Sequence, residues 1–293
     1  MPTGPKLGLV LACVFWAISF IATKKALEVI PPLTVVAARL SVSAACFAVY
    51  LGVRRPVLPR AGARSLLQLF VLSLFGTGLH YGLQTVGLQY TSASNASIYA
   101  VTGPITIIAI AVLFLGERLT TVKAVGVGVA LGGVLTVMGL DTLLAFDLQG
   151  HLLGDALVLL SIVLWGGFTV YGKKLSATMG ALPMTALTTI IGALSMLPVA
   201  ALELRVTAFD LASSTAEAWV AVAFLGVTCS FLATLLYVNA LAHAESQKVG
   251  AYLYAIPPMT YLAAGVYLHE PITARLLVGS LLVLGGVALT ERG

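Results

Sequence analysis

The second half of this chain repeats a series of residues from its first half, in the same order. The matching positions are Trp16 and Trp165, Lys24 and Lys173, Lys25 and Lys174, Tyr99 and Tyr252, Pro104 and Pro257, Glu117 and Glu270, Thr120 and Thr273, Gly126 and Gly279, Gly132 and Gly285, and Gly133 and Gly286. Their separation changes by only a few residues along the chain, so the copies differ by short loop insertions. Such a repeat predicts two related units that pack against each other. We place them at residues 1–140 and 150–293.

Most of the chain consists of long apolar stretches. Hydrophobic residues make up 59% of it and charged residues 9%, whereas a soluble domain carries about 25% charged residues. Each stretch is about 20 residues long, enough to cross a bilayer as a helix. We predict spans at residues 7–28, 33–53, 65–87, 92–115, 120–139, 151–173, 183–203, 216–240, 247–268 and 272–290. A large soluble helical protein is the alternative, but these stretches lack a water-facing side.

Basic residues are concentrated on one side of this ten-span arrangement. The link after the second span alone carries Arg54, Arg55, Arg60 and Arg64. Because positive residues stay on the cytoplasmic side, we predict a multi-pass protein of the cell inner (plasma) membrane with both termini in the cytoplasm. The net charge of +5 then reflects topology and contact with anionic lipid, and no nucleic-acid partner follows from it.

Each half contains five predicted spans, so the second copy is expected to insert upside down relative to the first. Inverted repeats are typical of transporters that expose a mid-depth site to each side in turn. The predicted fold is therefore an all-α integral membrane protein with ten transmembrane helices, arranged as two inverted five-helix repeats around a central cavity. One chain forms one transport unit, and we expect a monomer to suffice.

Polar residues recur at helical spacing inside several spans. In the third span, Ser73, Thr77, His80 and Gln84 share one face. Lipid offers no hydrogen bonds, so such a stripe faces protein or a wet cavity. Hydrogen bonding between helices explains any single Ser or Thr, but stripes that include Tyr or His at mid-depth favour a cavity. The candidate cavity residues are Trp16, His80, Gln84, Tyr99, Trp165, Tyr237, Lys248 and Tyr252.

Three of these residue types each allow two interpretations. His80 either titrates and couples transport to protons or acts as a neutral hydrogen-bond donor, and we favour the donor. Lys248 either attracts a substrate anion or snorkels to the cytoplasmic surface. Trp16 and Trp165 either stack on a substrate ring or pack between the two units.

Matched prolines and small residues indicate where helices bend or approach closely. Pro104 and Pro257 interrupt the fourth and ninth spans at equivalent points, and each removes a backbone hydrogen bond, so we predict bends that act as gating hinges. Two pairs of glycines, Gly78 with Gly82 and Gly128 with Gly132, have small-xxx-small spacing, which predicts close helix packing.

Three charged residues are assigned structural roles. Glu117 and Glu270 precede the fifth and tenth spans, where a carboxylate suits the positive start of a helix. Arg39 lies inside the second span and needs a partner, for which Glu28 is the candidate across a short turn. A substrate role for Arg39 is the less favoured alternative.

These residues carry a family resemblance. Its most specific parts are the segments from Asn95 through Pro104 to Leu115-Gly116-Glu117-Arg118-Leu119-Thr120 and, in the second copy, Leu268-His269-Glu270-Pro271-Ile272-Thr273. Over nearly its whole length, the chain resembles the EamA family of the drug/metabolite transporter superfamily. The resemblance implies a ten-helix carrier that exports small metabolites. The pair His80 and Tyr81, with Tyr99 and Trp165, is similar to bacterial amino-acid exporters of the YddG type, which adds Tyr81 to the candidate substrate site.

The sequence contains no His-Glu-x-x-His helix, nucleophile elbow or P-loop. We therefore predict neither an enzyme nor direct ATP drive, and no cofactor; the three cysteines match no metal-site spacing. The leading hypothesis is a secondary exporter of small metabolites, most of all amino acids with aromatic or other apolar side chains. The alternative is a broader drug or anionic-metabolite exporter, in which Lys248 binds the negative group. A membrane-embedded enzyme or scaffold is the remote alternative.

Overall fold

The computed structural model describes residues 1–55, 62–90, 99, 101–144, 152–207, 209–210, 214–268 and 273–293. Helices joined by short turns account for nearly all of these residues, and no strand occurs among them. In chain order the helices are α1 (Thr3–Leu27), α2 (Pro32–Arg54), α3 (Ala63–Tyr90), α4 (Thr102–Leu115), α5 (Thr121–Leu144), α6 (Leu152–Met179), α7 (Ala181–Val206), α8 (Ala216–His243), α9 (residues 246–268) and α10 (Ala274–Arg292).

In the described part of the chain, eight helices are long and apolar enough to cross a membrane, by length and composition. The other two are α4, described over 14 residues, and α9, which is interrupted by a 3-10 turn at Leu253–Ala255. Apolar side chains cover the outer surface, as for Leu113 and Leu281, which are 76% and 70% exposed. The chain is an all-helical, multi-pass membrane protein. The ten-span count, the inversion of the second copy, the two-unit division and the cytoplasmic termini stay predictions.

The helices begin and end where local chemistry satisfies their terminal backbone groups. Pro32 opens α2, because a first helical position needs no N–H. Thr215 and Thr273 precede α8 and α10, and their hydroxyls accept the N–H groups of Ala218 and Leu276. Gly116 follows α4 with a φ of 65°, a left-handed conformation that glycine adopts without strain.

The helices α5 and α10 pack along a seam of four glycines. These are Gly126 and Gly133 of α5 and Gly279 and Gly286 of α10. A Cβ atom on Gly133 would lie 2.7 Å from the Gly279 carbonyl oxygen, and one on Gly279 would lie 2.6 Å from the Gly133 carbonyl oxygen. The helix backbones therefore touch directly. The prediction of close packing is wrong for Gly128 and Gly132, because a Cβ on either would have no neighbour within 4 Å, whereas a Cβ on Gly78 would lie 3.0 Å from Ser195 Oγ of α7. Spacing alone did not identify which glycines face the other helix.

Two helices widen into π-helical segments, at Leu74–Leu79 in α3 and at Leu225–Ala233 in α8. The first packs against α6 and α7, and the second against α1 and α2. In the second segment the backbone comes so close to α2 that a Cβ on Gly226 would lie 2.8 Å from the Arg39 carbonyl oxygen. Segments of this kind occur often at functional sites.

Candidate substrate cavity

A cavity of about 410 Å³ lies between α1, α2, α3, α4, α6 and α9. Its lining comes from the second halves of α1 and α3, from the central part of α9 and from the first halves of α2, α4 and α6. We call the end of the bundle at which Lys6 contacts Glu291 the amino-terminal face, and the other end the distal face. The cavity occupies the distal half. Eight residues singled out from the sequence line it: Trp16, Arg39, His80, Tyr81, Gln84, Pro104, Trp165 and Pro257.

Aromatic rings form the floor of the cavity at mid-depth. Trp16 and Trp165, which match in the two copies, meet edge to face with ring centroids 5.5 Å apart. Tyr237 packs beneath both, at 5.2 Å from Trp16 and 5.4 Å from Trp165. The Tyr237 hydroxyl is hydrogen-bonded to Thr169 Oγ1 at 2.9 Å, which removes it from the cavity. The two tryptophans thus pack between the helices and also present apolar surface to any bound solute.

The imidazole of His80 continues this aromatic layer. Its ring centroid lies 5.1 Å from that of Trp165 and 4.8 Å from that of Tyr81. His80 Nδ1 lies 2.8 Å from the carbonyl oxygen of Ser161. Because a carbonyl only accepts hydrogen bonds, Nδ1 carries the hydrogen and donates it. Nε2 is then left as the ring nitrogen for a further partner, and the fixed ring orientation fits the predicted role of a neutral donor.

The buried guanidinium of Arg39 faces the same cavity. Arg39 is 4% exposed, its Nε donates to Ser230 Oγ at 3.0 Å, and its Cζ lies 4.4 Å from the centroid of the Tyr81 ring. The predicted partnership with Glu28 is wrong. The Glu28 carboxylate instead pairs with Lys25, one turn earlier, at 3.0 Å.

Four candidate residues do not line the cavity: Tyr99, Tyr237, Lys248 and Tyr252. Tyr99 is buried in a cluster with Val158 and Ile162. Lys248 Nζ donates to the backbone carbonyl of Glu291 at 2.9 Å, which fits the snorkelling interpretation better than the anion-binding one. Glu270 lies outside the described residues.

Glu117 joins the two copies at the amino-terminal face. Its carboxylate accepts the N–H groups of Ser246 and Gln247, at 2.9 and 3.2 Å, at the start of α9. It also accepts a hydrogen bond from Lys173 Nζ at 2.9 Å. We call this set of four residues the amino-terminal clasp. Burial raises the pKa of Glu117, but the Lys173 ammonium and the two backbone N–H groups outweigh burial and hold the pKa below its ordinary value.

Further ion pairs close the same face. Lys6 pairs with Glu291 at 2.6 Å, and the Tyr252 hydroxyl donates to the same carboxylate at 2.9 Å. Lys123 pairs with Glu245 at 2.5 Å. Sequence reasoning did not identify Glu245 or Glu291. Each lies at the end of a helix, and its basic partner belongs to a helix distant in the sequence. For the clasp a signal was available, because Glu117 and Lys173 both belong to the positions that recur in the two copies.

Pro257 lies beside a change of helical geometry, and Pro104 lies in the first described turn of its helix. Pro257 comes two residues after the 3-10 turn of α9, and Pro104 is the third residue of α4 as described. Both line the cavity. Their roles as hinges stay predictions. Within the residues that the structure describes, no group of three His, Cys, Asp or Glu side chains is arranged to hold a metal ion.

Comparison with known proteins agrees with this architecture. The sequence profile of the EamA-like transporter family matches residues 6–139 and 152–292. An uncharacterized transporter of Archaeoglobus fulgidus is 27% identical over 284 residues, covering 97% of both chains. A probable terminal-alkyne amino-acid exporter of Streptantibioticus cattleyicolor is 27% identical over 287 residues, covering 97% of this chain and 92% of its own.

A solved crystal structure shares the fold, with a TM-score of 0.82 over 99% of this chain and 96% of that one at 18% identity. The names of the relatives describe transporters rather than enzymes. The profile matches cover nearly the whole chain. The protein is thus a member of the EamA-like transporter family, as the resemblance predicted.

Proposed function

We propose that this transporter exports small amino acids with aromatic or other apolar side chains by alternating access. The observation that carries the proposal is the composition of the cavity. An aromatic floor of Trp16 and Trp165 lies beside three polar groups, His80, Gln84 and Arg39. Binding sites for small molecules typically combine mostly apolar walls with a few placed polar groups in about 300–1,000 Å³, and this cavity has about 410 Å³.

The asymmetry of the bundle supports the transport mechanism. The cavity occupies the distal half, while the clasp and the ion pair between Lys6 and Glu291 hold the amino-terminal face together. Transport requires the second arrangement, in which the clasp opens and the distal half closes around the solute. The name of one relative, a probable terminal-alkyne amino-acid exporter, supports the substrate class.

A second candidate, an exporter of anionic metabolites, is favoured by the charges of the cavity. Among the described residues that line it, Lys24 and Arg39 are basic and none is acidic. Lys248, to which the sequence reasoning gave the anion-binding role, lies elsewhere, so in this version Lys24 and Arg39 replace it. The two candidates differ in whether the substrate needs an amino group.

Counterflow in proteoliposomes tests the proposal. The purified chain is reconstituted with unlabelled solute inside, and uptake of labelled L-phenylalanine is followed while amino acids, organic anions, sugars and cationic dyes compete. We expect apolar amino acids to compete best. Counterflow driven by organic anions but by no amino acid would replace the first candidate with the second. If no solute moves, the transport proposal itself fails for these classes.

A further inference from the structure

The charge on Arg39 is buried inside the membrane part of the bundle and is incompletely paired. Arginine carries five N–H donors. Within the described residues, the Nε donor bonds to Ser230, and no carboxylate lies within 4.0 Å of the guanidinium. The Tyr81 ring face covers one side of the guanidinium plane. Among the described residues, no acceptor bonds to the two terminal Nη groups, and Arg39 lines the cavity. We therefore infer that these groups are available to a solute in the cavity.

A cation in this position needs an anion. Burying an unpaired charge is costly, and ionisable residues inside a membrane generally pair with each other or mark a substrate path. A planar carboxylate matches the guanidinium fork with two parallel hydrogen bonds, the strong geometry for this pair. The described cavity lining supplies no carboxylate of its own, so the matching group comes from the solute.

The contacts around Arg39 define where the rest of that solute lies. Tyr81 links Arg39 to His80, with 4.4 Å between Arg39 Cζ and the Tyr81 centroid and 4.8 Å between the Tyr81 and His80 centroids. His80 in turn contacts Trp165. A solute held at Arg39 therefore extends along this row of rings towards the apolar floor, and His80 Nε2 is the acceptor along the row for an amino group.

We propose that Arg39 binds the carboxylate of the substrate through its Nη groups and thereby restricts this transporter to carboxylate-bearing solutes. The inference rests on the proposed function and adds to it the group that the protein recognises. It also reverses the structural role that the sequence suggested for this arginine. Lys24, which is exposed at the distal end of the same cavity, attracts anions at longer range and does not select among them.

Three probes with one aromatic ring separate the requirements. L-Phenylalanine carries an amino group and a carboxylate, L-phenylalaninamide lacks the carboxylate, and 3-phenylpropionate lacks the amino group. Each probe is added as an unlabelled competitor of labelled L-phenylalanine in counterflow by the wild-type chain. If labelled L-phenylalanine itself gives no counterflow, each probe is labelled and its own transport is measured. We expect the amide to compete about ten- to a hundredfold less well than L-phenylalanine, the range for losing one charged hydrogen-bond partner.

The wild-type results separate the two claims without any mutation. Equal competition by the amide would overturn the role of Arg39 and leave amino-acid transport standing. Movement of 3-phenylpropionate but not of L-phenylalanine would overturn amino-acid transport and leave carboxylate recognition standing. If none of the three probes moves, both claims fail.

The variants Arg39→Gln and Arg39→Lys then test the residue itself, with Lys24→Gln as the control cation of the same cavity. In Arg39→Gln, the competing strengths of L-phenylalaninamide and L-phenylalanine are expected to come within about threefold of each other, because discrimination requires the charged fork. Arg39→Lys keeps the charge but loses the fork, so its discrimination is expected to be intermediate. Lys24→Gln removes only long-range attraction and is expected to retain most of the wild-type ratio. Loss of discrimination in Lys24→Gln with an unchanged ratio in Arg39→Gln would overturn the assignment. The amount of each variant in the membrane is measured alongside, and the wild-type competition decides the proposal if Arg39→Gln does not fold.

Discussion

The substitution Glu117→Gln should open the amino-terminal clasp. The Glu117 side chain is 9% exposed, so its hydrogen bonds to α9 are largely shielded from water. A neutral amide has one oxygen, which can still accept from Ser246 and Lys173 but not also from Gln247, and it has no charge to attract the Lys173 ammonium. Hydrogen bonds to charged groups contribute about 1.5–3 kcal/mol each. One such hydrogen bond is removed, the other two lose the charge that strengthens them, and Lys173 is partly exposed. We therefore take about 3 kcal/mol in total, which is a shift of about a hundredfold in the closed-to-open equilibrium.

Thiol labelling measures this equilibrium. Ser246 is buried at the start of α9, so a cysteine introduced by Ser246→Cys reacts only when the clasp opens. The native cysteines Cys13, Cys46 and Cys229 are replaced first. The labelling rate should rise by about a hundredfold in Glu117→Gln, as the free energy above requires.

Glu203→Gln is the matched control. Glu203 accepts the N–H groups of Leu33 and Thr34 at 3.0 and 2.7 Å at the start of α2, the same chemistry at the other end of the molecule. Its substitution should lower thermal stability without raising labelling at position 246. Equal labelling of the wild type and Glu117→Gln, or an equal rise in Glu203→Gln, would refute the clasp.

Acid should open the clasp as Glu117→Gln does. Burial raises the pKa of Glu117, but Lys173 and the backbone N–H groups outweigh it and lower the pKa from 4.5. A carboxyl group with a lowered pKa stabilises the closed arrangement above its ordinary pKa, and the stabilisation is lost as the pH falls through the lowered value. At each pH the labelling rate of Ser246→Cys is divided by that of a fully exposed cysteine, because only the thiolate reacts. This ratio should be constant between about pH 7 and 5 and rise below 4.5, while Ser246→Cys combined with Glu117→Gln shows no such rise.

Three further tests concern the glycine seam, the hydrogen bond of His80 and the bend at Pro257. Gly133→Ala should lower the melting temperature in detergent, since overpacking costs about 1–3 kcal/mol, whereas Gly132→Ala next to it should be neutral or stabilising; equal effects would refute the seam. His80→Asn, which retains a donor for the Ser161 carbonyl, should keep more transport than His80→Ala, and equal flux in both would contradict the role of that bond. Pro257→Ala should slow counterflow more than it weakens substrate binding, and a parental rate would remove the hinge.

Much of the helical architecture was predictable because it depends on local signals. Apolar stretches gave the helices, and the spacing of His80 and Gln84 gave one wall of the cavity. Trp16 and Trp165 were found through the repeat. Side-chain partners were less predictable, because they depend on how distant helices meet. Glu28 does not pair with Arg39 because Lys25 lies one turn from Glu28 on the same helix and satisfies it first.

The repeat also misled where the two copies differ in environment. Tyr99 and Tyr252 match in sequence, so we expected them to approach one central volume together. The cavity occupies only the distal half, and Tyr252 belongs to the closed amino-terminal half, where it bonds to Glu291. Matching residues have equal surroundings only if both ends of the bundle are in the same state, and a single conformation of a transporter does not satisfy that condition.

The π-helical segments decide what a change of length does to the helices α3 and α8. They occupy corresponding positions in α3 and α8, at Leu74–Leu79 and Leu225–Ala233. An α-helix turns by about 100° per residue, and a π segment accommodates a residue that an α-helix has no room for. Loss of one residue from Leu74–Leu79 would therefore convert the segment to regular α-helix and leave His80, Tyr81 and Gln84 on their present face. Loss of one residue from the regular part of the same helix, Ala63–Ser73, would instead turn these three side chains by about 100° away from the cavity. A change of one residue would thus alter solute recognition outside the π segments and spare it inside them, although every cavity residue is still present in the sequence.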